Sequence, residues 1–248
     1  MKNQINWKEK YYDLILEKSS YNKISLEALS LRNKNRPEKL YKYNSFKKGS
    51  LENLINDKIW LSNPLKYNDP FEFTEKNNFL HVLNDNIEKT IKKSQEEMTV
   101  CSFCESYEEI LMWSHYADEH KGFCIEYDLK SPKINRKFLN YLHPVIYKKE
   151  AFDTTKQFID RYLGTIHLFI TGMTKWIDWK YENEWRYIML ESKESNLSVK
   201  CISKVFIGMK IKPQNRARII NICKKKNIPV FEAFPIYEEY KLKFSQIL

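Results

Sequence analysis

Acid–base chemistry in this chain has two places to happen. Leu111–Asp128, LMWSHYADEHKGFCIEYD, gathers Trp113, His115, Tyr116 and His120 and runs on into Glu126 and Asp128. Imidazole titrates near neutrality, so His115 is a candidate for proton transfer, and Trp113 and Tyr116 are candidates to line a cleft beside it. His115 and His120 are five residues apart and fall on different sides of a helix; the HExxH spacing that presents two imidazoles to one zinc is absent, and no metal site is expected. The second place is Trp179–Leu190, WKYENEWRYIML, where alternation puts Glu182, Glu184, Arg186 and Ile188 on one strand face. Two carboxylates on one face can divide acid–base work, although Glu-x-Glu-x-Arg is also the pattern of a salt-bridge ladder.

Both stretches need elements that hold them. Ile110, Leu111, Ser114 and Ala117 recur at helical spacing, and Lys121-Gly122 is read as the helix end. From Phe123 the pattern alternates, Phe123, Ile125 and Tyr127 against Cys124, Glu126 and Asp128, as in a half-buried strand. Upstream, residues 5–33 read as helix punctuated near Ser19-Ser20 and broken at Arg36-Pro37. A strand follows at Lys39–Tyr43, then a helix capped by Ser50 and a strand at Ile59–Ser62. Asn63, Pro64, Asn68, Asp69 and Pro70 form a turn region, Thr74–Glu97 reads as helix, and Met98–Phe103 as strand. Downstream come a strand at Val145–Tyr147, a helix from Phe152 to Met173, a strand over Ser203–Gly208, a helix over Pro213–Asn227, and strands over Val230–Phe234 and Tyr237–Phe244. The pattern predicts an α+β fold, a mixed sheet core with flanking helices. Residues 1–38 form an N-terminal helical extension and 39–248 a single domain.

Composition narrows the classes. The 248 residues are 42% hydrophobic and 15% aromatic, enough for a globular core. No apolar run approaches the length of a membrane span, and Met1-Lys2-Asn3-Gln4 leads into a charged amphipathic stretch, so a cytoplasmic protein away from the membrane is expected. Five cysteines without framework spacing fit reduced thiols, and Cys101-x-x-Cys104 lacks a second pair to complete a zinc site. A net charge of +10 favours a polyanionic partner such as nucleic acid.

Four ordered motifs carry a resemblance. Tyr41-Lys42-Tyr43, Ser62-Asn63-Pro64 with Asn68-Asp69-Pro70-Phe71, Met112–Ala117 with His120–Phe123, and Trp179-x-Tyr181-Glu182-x-Glu184-x-Arg186 resemble the bacterial domain-of-unknown-function 2971 family over about residues 39 to 245. That resemblance gives no activity but implies a single cytosolic α+β domain, often met in bacterial accessory or defence contexts; a toxic activity would call for a neutralising partner protein. The motif order also resembles, more distantly, ADP-ribosyltransferases of the nucleic-acid-modifying toxin type. That likeness implies NAD as the donor and nucleic acid or protein as the acceptor. It implies Lys42 or Tyr43 in the first-strand position, Ser102 in the serine position, and Glu184, preceded by Glu182, as the catalytic carboxylate. Ser62, Tyr67, Asn68, Trp113 and Tyr116 would then contact the dinucleotide, Tyr67 or Trp113 by stacking on nicotinamide. The chain departs from that pattern in carrying Lys42 where Arg or His is usual, and Cys101-Ser102-Phe103 where Ser-Thr-Ser is usual.

Two other classes fit the same residues. Asp69, Glu126 and Glu184 are acids that a magnesium-dependent nuclease would use as ligands. Alternatively, an aromatic pocket would serve a nucleotide sensor without turnover.

Overall fold

The computed structural model describes residues 7–19, 23–67, 69, 71–73, 93, 95–152, 166–190, 192 and 194–248. Its centre is an eight-stranded mixed sheet of β1 (Lys39–Asn44), β3 (Thr99–Cys104), β4 (Phe123–Asp128), β5 (Leu142–Pro144), β8 (Glu184–Met189), β10 (Ile202–Ile207), β11 (Val230–Ile236) and β12 (Lys241–Gln246). The order is β12-β11-β10-β4-β1-β3-β8-β5, antiparallel except for the parallel β10–β11 pair. β2 (Lys58–Trp60) pairs with β9 (Asn196–Ser198), and β6 (Ile146–Lys148) pairs in parallel with β7 (Thr174–Trp176). The expected mixed α+β architecture is therefore present. One strand is misplaced by the sequence reading: Ile59 belongs to the separate β2–β9 ribbon, and Ser62 meets the main sheet only through a backbone bridge to Val100.

One face of the sheet carries the larger apolar core. Leu40, Ile125, Phe103, Trp185, Tyr187 and Val205 point to it and are covered by α3 (Lys48–Ile55), α5 (Arg136–Asn140) and α7 (Pro213–Lys226), which supply Leu51, Leu54, Phe138, Ile219 and Cys223. The other face carries two apolar patches. α1 (Trp7–Lys18) and α6 (Ile166–Gly172) bury Tyr11, Ile15, Phe169 and Ile170 against Val100 and Ile188, with α2 (Leu26–Asn35) behind them. α4 (Ile110–Tyr116) buries Met112 and Trp113 against Tyr41, Tyr43, Cys124 and Phe206. Polar residues of β3 and β8 occupy the ground between these patches. Buried polar contacts fasten the first two helices: the Tyr11 hydroxyl lies 2.7 Å from His143 Nδ1, and Arg32 Nη1 donates to the Asn140 carbonyl at 2.8 Å.

Several boundaries differ from the sequence reading. α3 begins at Lys48, so Ser50 lies inside it rather than capping it. The Thr74–Glu97 helix and the first half of the Phe152–Met173 helix lie largely outside the described residues. α4 stops at Tyr116, and Asp118, Glu119 and His120 all take left-handed backbone before Lys121-Gly122. Gly122 is required by crowding instead: a Cβ there would sit 2.1 Å from the Asn44 carbonyl oxygen and 2.8 Å from that of Ala117. Because both obstacles are backbone, Gly122→Ala is expected to cost about 2–3 kcal/mol, the upper range for overpacking. Its urea midpoint, compared with that of wild type, measures this.

Candidate functional site

The register of the sheet sets the site. Glu126 of β4, Tyr41 of β1, Cys104 of β3 and Glu184 of β8 lie opposite one another in turn, so their side chains share the face that carries the two patches. Ser102 and Arg186 are the next facing pair on that face. β1 and β3 pair only at Tyr41 and Cys104, and beyond that point Lys42 Nζ donates to the Ser102 carbonyl at 3.1 Å. The opening that results is a cleft of about 80 Å³ lined by Lys42, Tyr43, Ser102, Met112, Tyr116, Glu182 and Glu184, with Tyr41, Phe103 and Cys104 completing its walls.

Glu182 and Glu184 on its wall belong to a charged group with Glu72, Lys175 and Arg186, of which all but the half-buried Glu72 are buried. Arg186, with 0% exposure, donates from Nε to Glu184 Oε1 at 2.6 Å and from Nη2 to Glu184 Oε2 at 3.0 Å and Glu72 Oε2 at 2.6 Å. Its Nη1 donates to the Gly172 carbonyl at 2.9 Å, and the Phe73 ring lies 5.2 Å from the guanidinium carbon. Lys175 Nζ lies 2.6 Å from Glu182, 3.2 Å from Glu184 and 3.1 Å from Glu72. With all five ionised the group carries one excess negative charge. Such a set is tolerable inside a protein only because each charge is paired and hydrogen-bonded.

The two glutamates of the Glu-x-Glu motif hold different protons. Burial alone would push the Glu184 carboxyl up, but Arg186 and Lys175, with hydrogen bonds from Arg186 and Ser102, outweigh it and hold the pKa down at about 2. For Glu182, burial and then the Glu184 charge raise the pKa, against the opposing pull of Lys175 and the Tyr116 hydroxyl, which donates to Oε1 at 2.7 Å. Divergent pKa directions in adjacent carboxyls separate a fixed anion from a group able to exchange a proton. The depressed Glu184 value makes the folded state favour the anion, so its stabilisation is complete above the ordinary carboxylate pKa and is lost as pH falls from about 4.5 toward 2. Raised Glu182 has the opposite sign, losing stability as pH climbs through its folded pKa. Unfolding midpoints from pH 5 to pH 2 are expected to fall more steeply in wild type than in Glu184→Gln, by up to about 3 kcal/mol.

The alternation reading of this motif needs one correction. The strand starts at Glu184; Ile177–Glu182 is a 3₁₀ turn and Asn183 takes left-handed backbone at φ 43°. Glu182 meets Glu184 through this kink and their shared lysine, not through strand pleat. Other expected site residues are distributed unevenly. Lys42, Tyr43, Ser102 and Tyr116 border the cleft with both glutamates, but the Lys42 side chain leaves β1 on the opposite face, its ammonium 5.7 Å from the Phe103 ring centre, and Tyr43 donates its hydroxyl to the Ser106 carbonyl at 3.2 Å. Tyr67 packs edge-on against Phe73 and lies 6.0 Å from the Arg186 guanidinium, behind the cluster. Trp113 is fully buried, edge-on to Tyr43, with its indole nitrogen donating to the Tyr107 carbonyl at 2.8 Å, so its ring is core packing and not open to stack on a ligand. His115 is exposed on α4, 6.4 Å from the Trp179 ring, and is not among the residues lining the cleft. Ser62 is held in its backbone bridge, and Asn68 lies outside the described residues.

Lys175 and Glu72 were not singled out by sequence. Lys175 sits at the inward position of a three-residue strand between Thr174 and Trp176, and Glu72 stands between Phe71 and Phe73. For Glu72 the available signal was a charge between two aromatics; Lys175, between Thr174 and Trp176, carried no such signal. The proposed magnesium set does not assemble: Glu126 and Glu184 are separated by three strand spacings, roughly 14 Å. Glu126 is instead bound by Tyr41 and Ser203 hydroxyls and by Lys39 and Lys204. Among the described residues no group of three or more His, Cys, Asp or Glu could hold a metal ion. All five cysteines are buried free thiols, and no described helix is long and apolar enough to cross a membrane.

Residues 112–187 match the family model described as protein of unknown function (DUF2971). The match supports the resemblance drawn from the sequence over two of its four motifs. Its span also holds Tyr116, Lys175, Glu182, Glu184 and Arg186, the greater part of the buried cluster. Lys42, Glu72 and Ser102 stand outside it. No curated protein and no solved structure matches the chain.

Proposed function

We propose that the chain is an NAD-dependent ADP-ribosyltransferase acting on nucleic acid or protein. The observation that supports this most directly is convergence: Lys42 and Tyr43 from β1, Ser102 from β3, and Glu182 and Glu184 at β8 meet in one cleft although the sequence separates them widely. In the reaction the bond between the ribose C1′ and the pyridine nitrogen breaks, its electron pair leaves with neutral nicotinamide, and positive charge builds on the sugar. The acceptor's nucleophile then bonds to C1′ and gives up its proton. Glu184, fixed as an anion in a cluster with net negative charge, stabilises the sugar cation. Glu182, with its raised pKa and its place on the cleft wall, takes the acceptor's proton. Lys42 and Tyr43, bordering the cleft, are the expected donor contacts, although in this structure the Lys42 ammonium and the Tyr43 hydroxyl bond to the Ser102 and Ser106 carbonyls. The sequence expectation gave Glu182 the task of orienting or deprotonating the acceptor and added His115 to the catalytic set; this reading keeps the deprotonating role and leaves out His115, which does not line the cleft.

The cleft is large enough for a sugar edge but smaller than the 300–1,000 Å³ usual for a whole ligand, so most of the dinucleotide must lie outside it. Incubating the protein with NAD, alone and with RNA, DNA or cell lysate as acceptor, and measuring released nicotinamide together with the mass of the acceptor tests the proposal. Nicotinamide release with a matching ADP-ribose adduct is expected. NAD that stays intact with every acceptor rejects the reading and leaves binding without turnover.

A further inference from the structure

Beside the cleft lies a larger cavity of about 430 Å³, within the range of pockets that hold nucleotides. Phe71, Trp176 and Trp179 present rings to it, and Phe71 and Trp176 are 80% and 47% exposed. Leaving that much aromatic surface in water is unfavourable, and a concave group of such rings is a platform for a flat ligand. Among the described residues, Trp176 belongs to neither apolar patch of the sheet face. Lys149 is exposed at the wall, a partner for a phosphate; Lys148, also in the wall, is engaged by Glu9.

The cavity joins the reactive cleft through one side chain. Lys175 lines it and stacks its ammonium 4.9 Å from the Trp179 ring centre, while the same nitrogen is 2.6 Å from the Glu182 carboxylate that borders the cleft. A ring held against the tryptophans is therefore only about a lysine side chain from the carboxylates.

We propose that this cavity binds the heteroaromatic ring of a nucleotide, with Trp176 as its stacking face and Phe71 in its wall. On the NAD reading above, on which only this assignment depends, the ring is the adenine of the donor. AMP and ribose 5-phosphate, titrated by calorimetry into wild type, Trp176→Ala and Phe71→Ala, test it. Both side chains are at the surface, and an unchanged urea midpoint verifies that each variant is folded.

The expected result is saturable AMP binding, no binding of ribose 5-phosphate, and about tenfold weaker AMP binding on loss of Trp176, the size of one base–aromatic stack. Absence of AMP binding at millimolar concentration, equal binding of ribose 5-phosphate, or AMP binding unaffected by both substitutions overturns the proposal. The two readings fail separately. AMP binding without NAD cleavage keeps the pocket and rejects the transfer chemistry, whereas NAD cleavage with KM unaffected by Trp176→Ala keeps the chemistry and rejects the adenine assignment.

Discussion

Arg186→Met is expected to cost about 3–5 kcal/mol, the range found when one partner of a buried ion pair is removed. In a chain of this length that lowers Tm by on the order of 10 °C. The guanidinium is wholly buried and neutralises Glu184 and Glu72 at once. Without it, three carboxylates face a single lysine, and the Gly172 carbonyl loses its donor. Methionine keeps a long unbranched stem beside the Phe73 and Tyr67 rings, which limits the share of the loss that comes from an empty cavity. Thermal and urea unfolding at pH 7 measure it, and a variant as stable as wild type contradicts the account of the cluster. Lowering the pH should narrow the gap between the two proteins, because protonation removes the unpaired negative charge.

The architecture was legible where periodicity carried it. β1, β3 and β4 fall within a residue or two of their expected places because each alternates with one side against the larger apolar core. Ile59–Ser62 looked the same, since alternation reports burial of one side but not which sheet buries it. The end of α4 was misjudged because Gly122 suggested a helix cap, whereas its need is for space beside Asn44. At the site, the Glu-x-Glu spacing was visible but its geometry was not. A left-handed Asn183 turns Glu182 off the strand, and single-residue backbone kinks leave no periodic trace. Trp113 drew attention as a ligand platform by composition alone, and its helix position buries it. Lys175, which joins cleft and cavity, could not be inferred from spacing because its partners come from β8 and from the segment near Phe73.

Glu182→Gln is the second substitution with a large expected effect, and its effect falls on catalysis rather than stability. Glutamine keeps the acceptor oxygen for the Tyr116 hydroxyl and removes a charge that burial and Glu184 already disfavour, so the fold should stay within about 1 kcal/mol of wild type. Loss of a general base typically lowers the rate by about two to four decades. Because the Glu182 pKa is raised, the wild-type rate is expected to climb with pH through a value above the ordinary carboxylate range, as the base loses its proton. The variant should lack that limb.

Nicotinamide release from NAD in the presence of the best acceptor, measured side by side for wild type and Glu182→Gln with matched urea midpoints, tests the central claim most directly. The account predicts turnover by wild type and a loss of about a hundredfold or more in the folded variant. Equal rates in the two proteins, or no release by wild type with any acceptor, would contradict it.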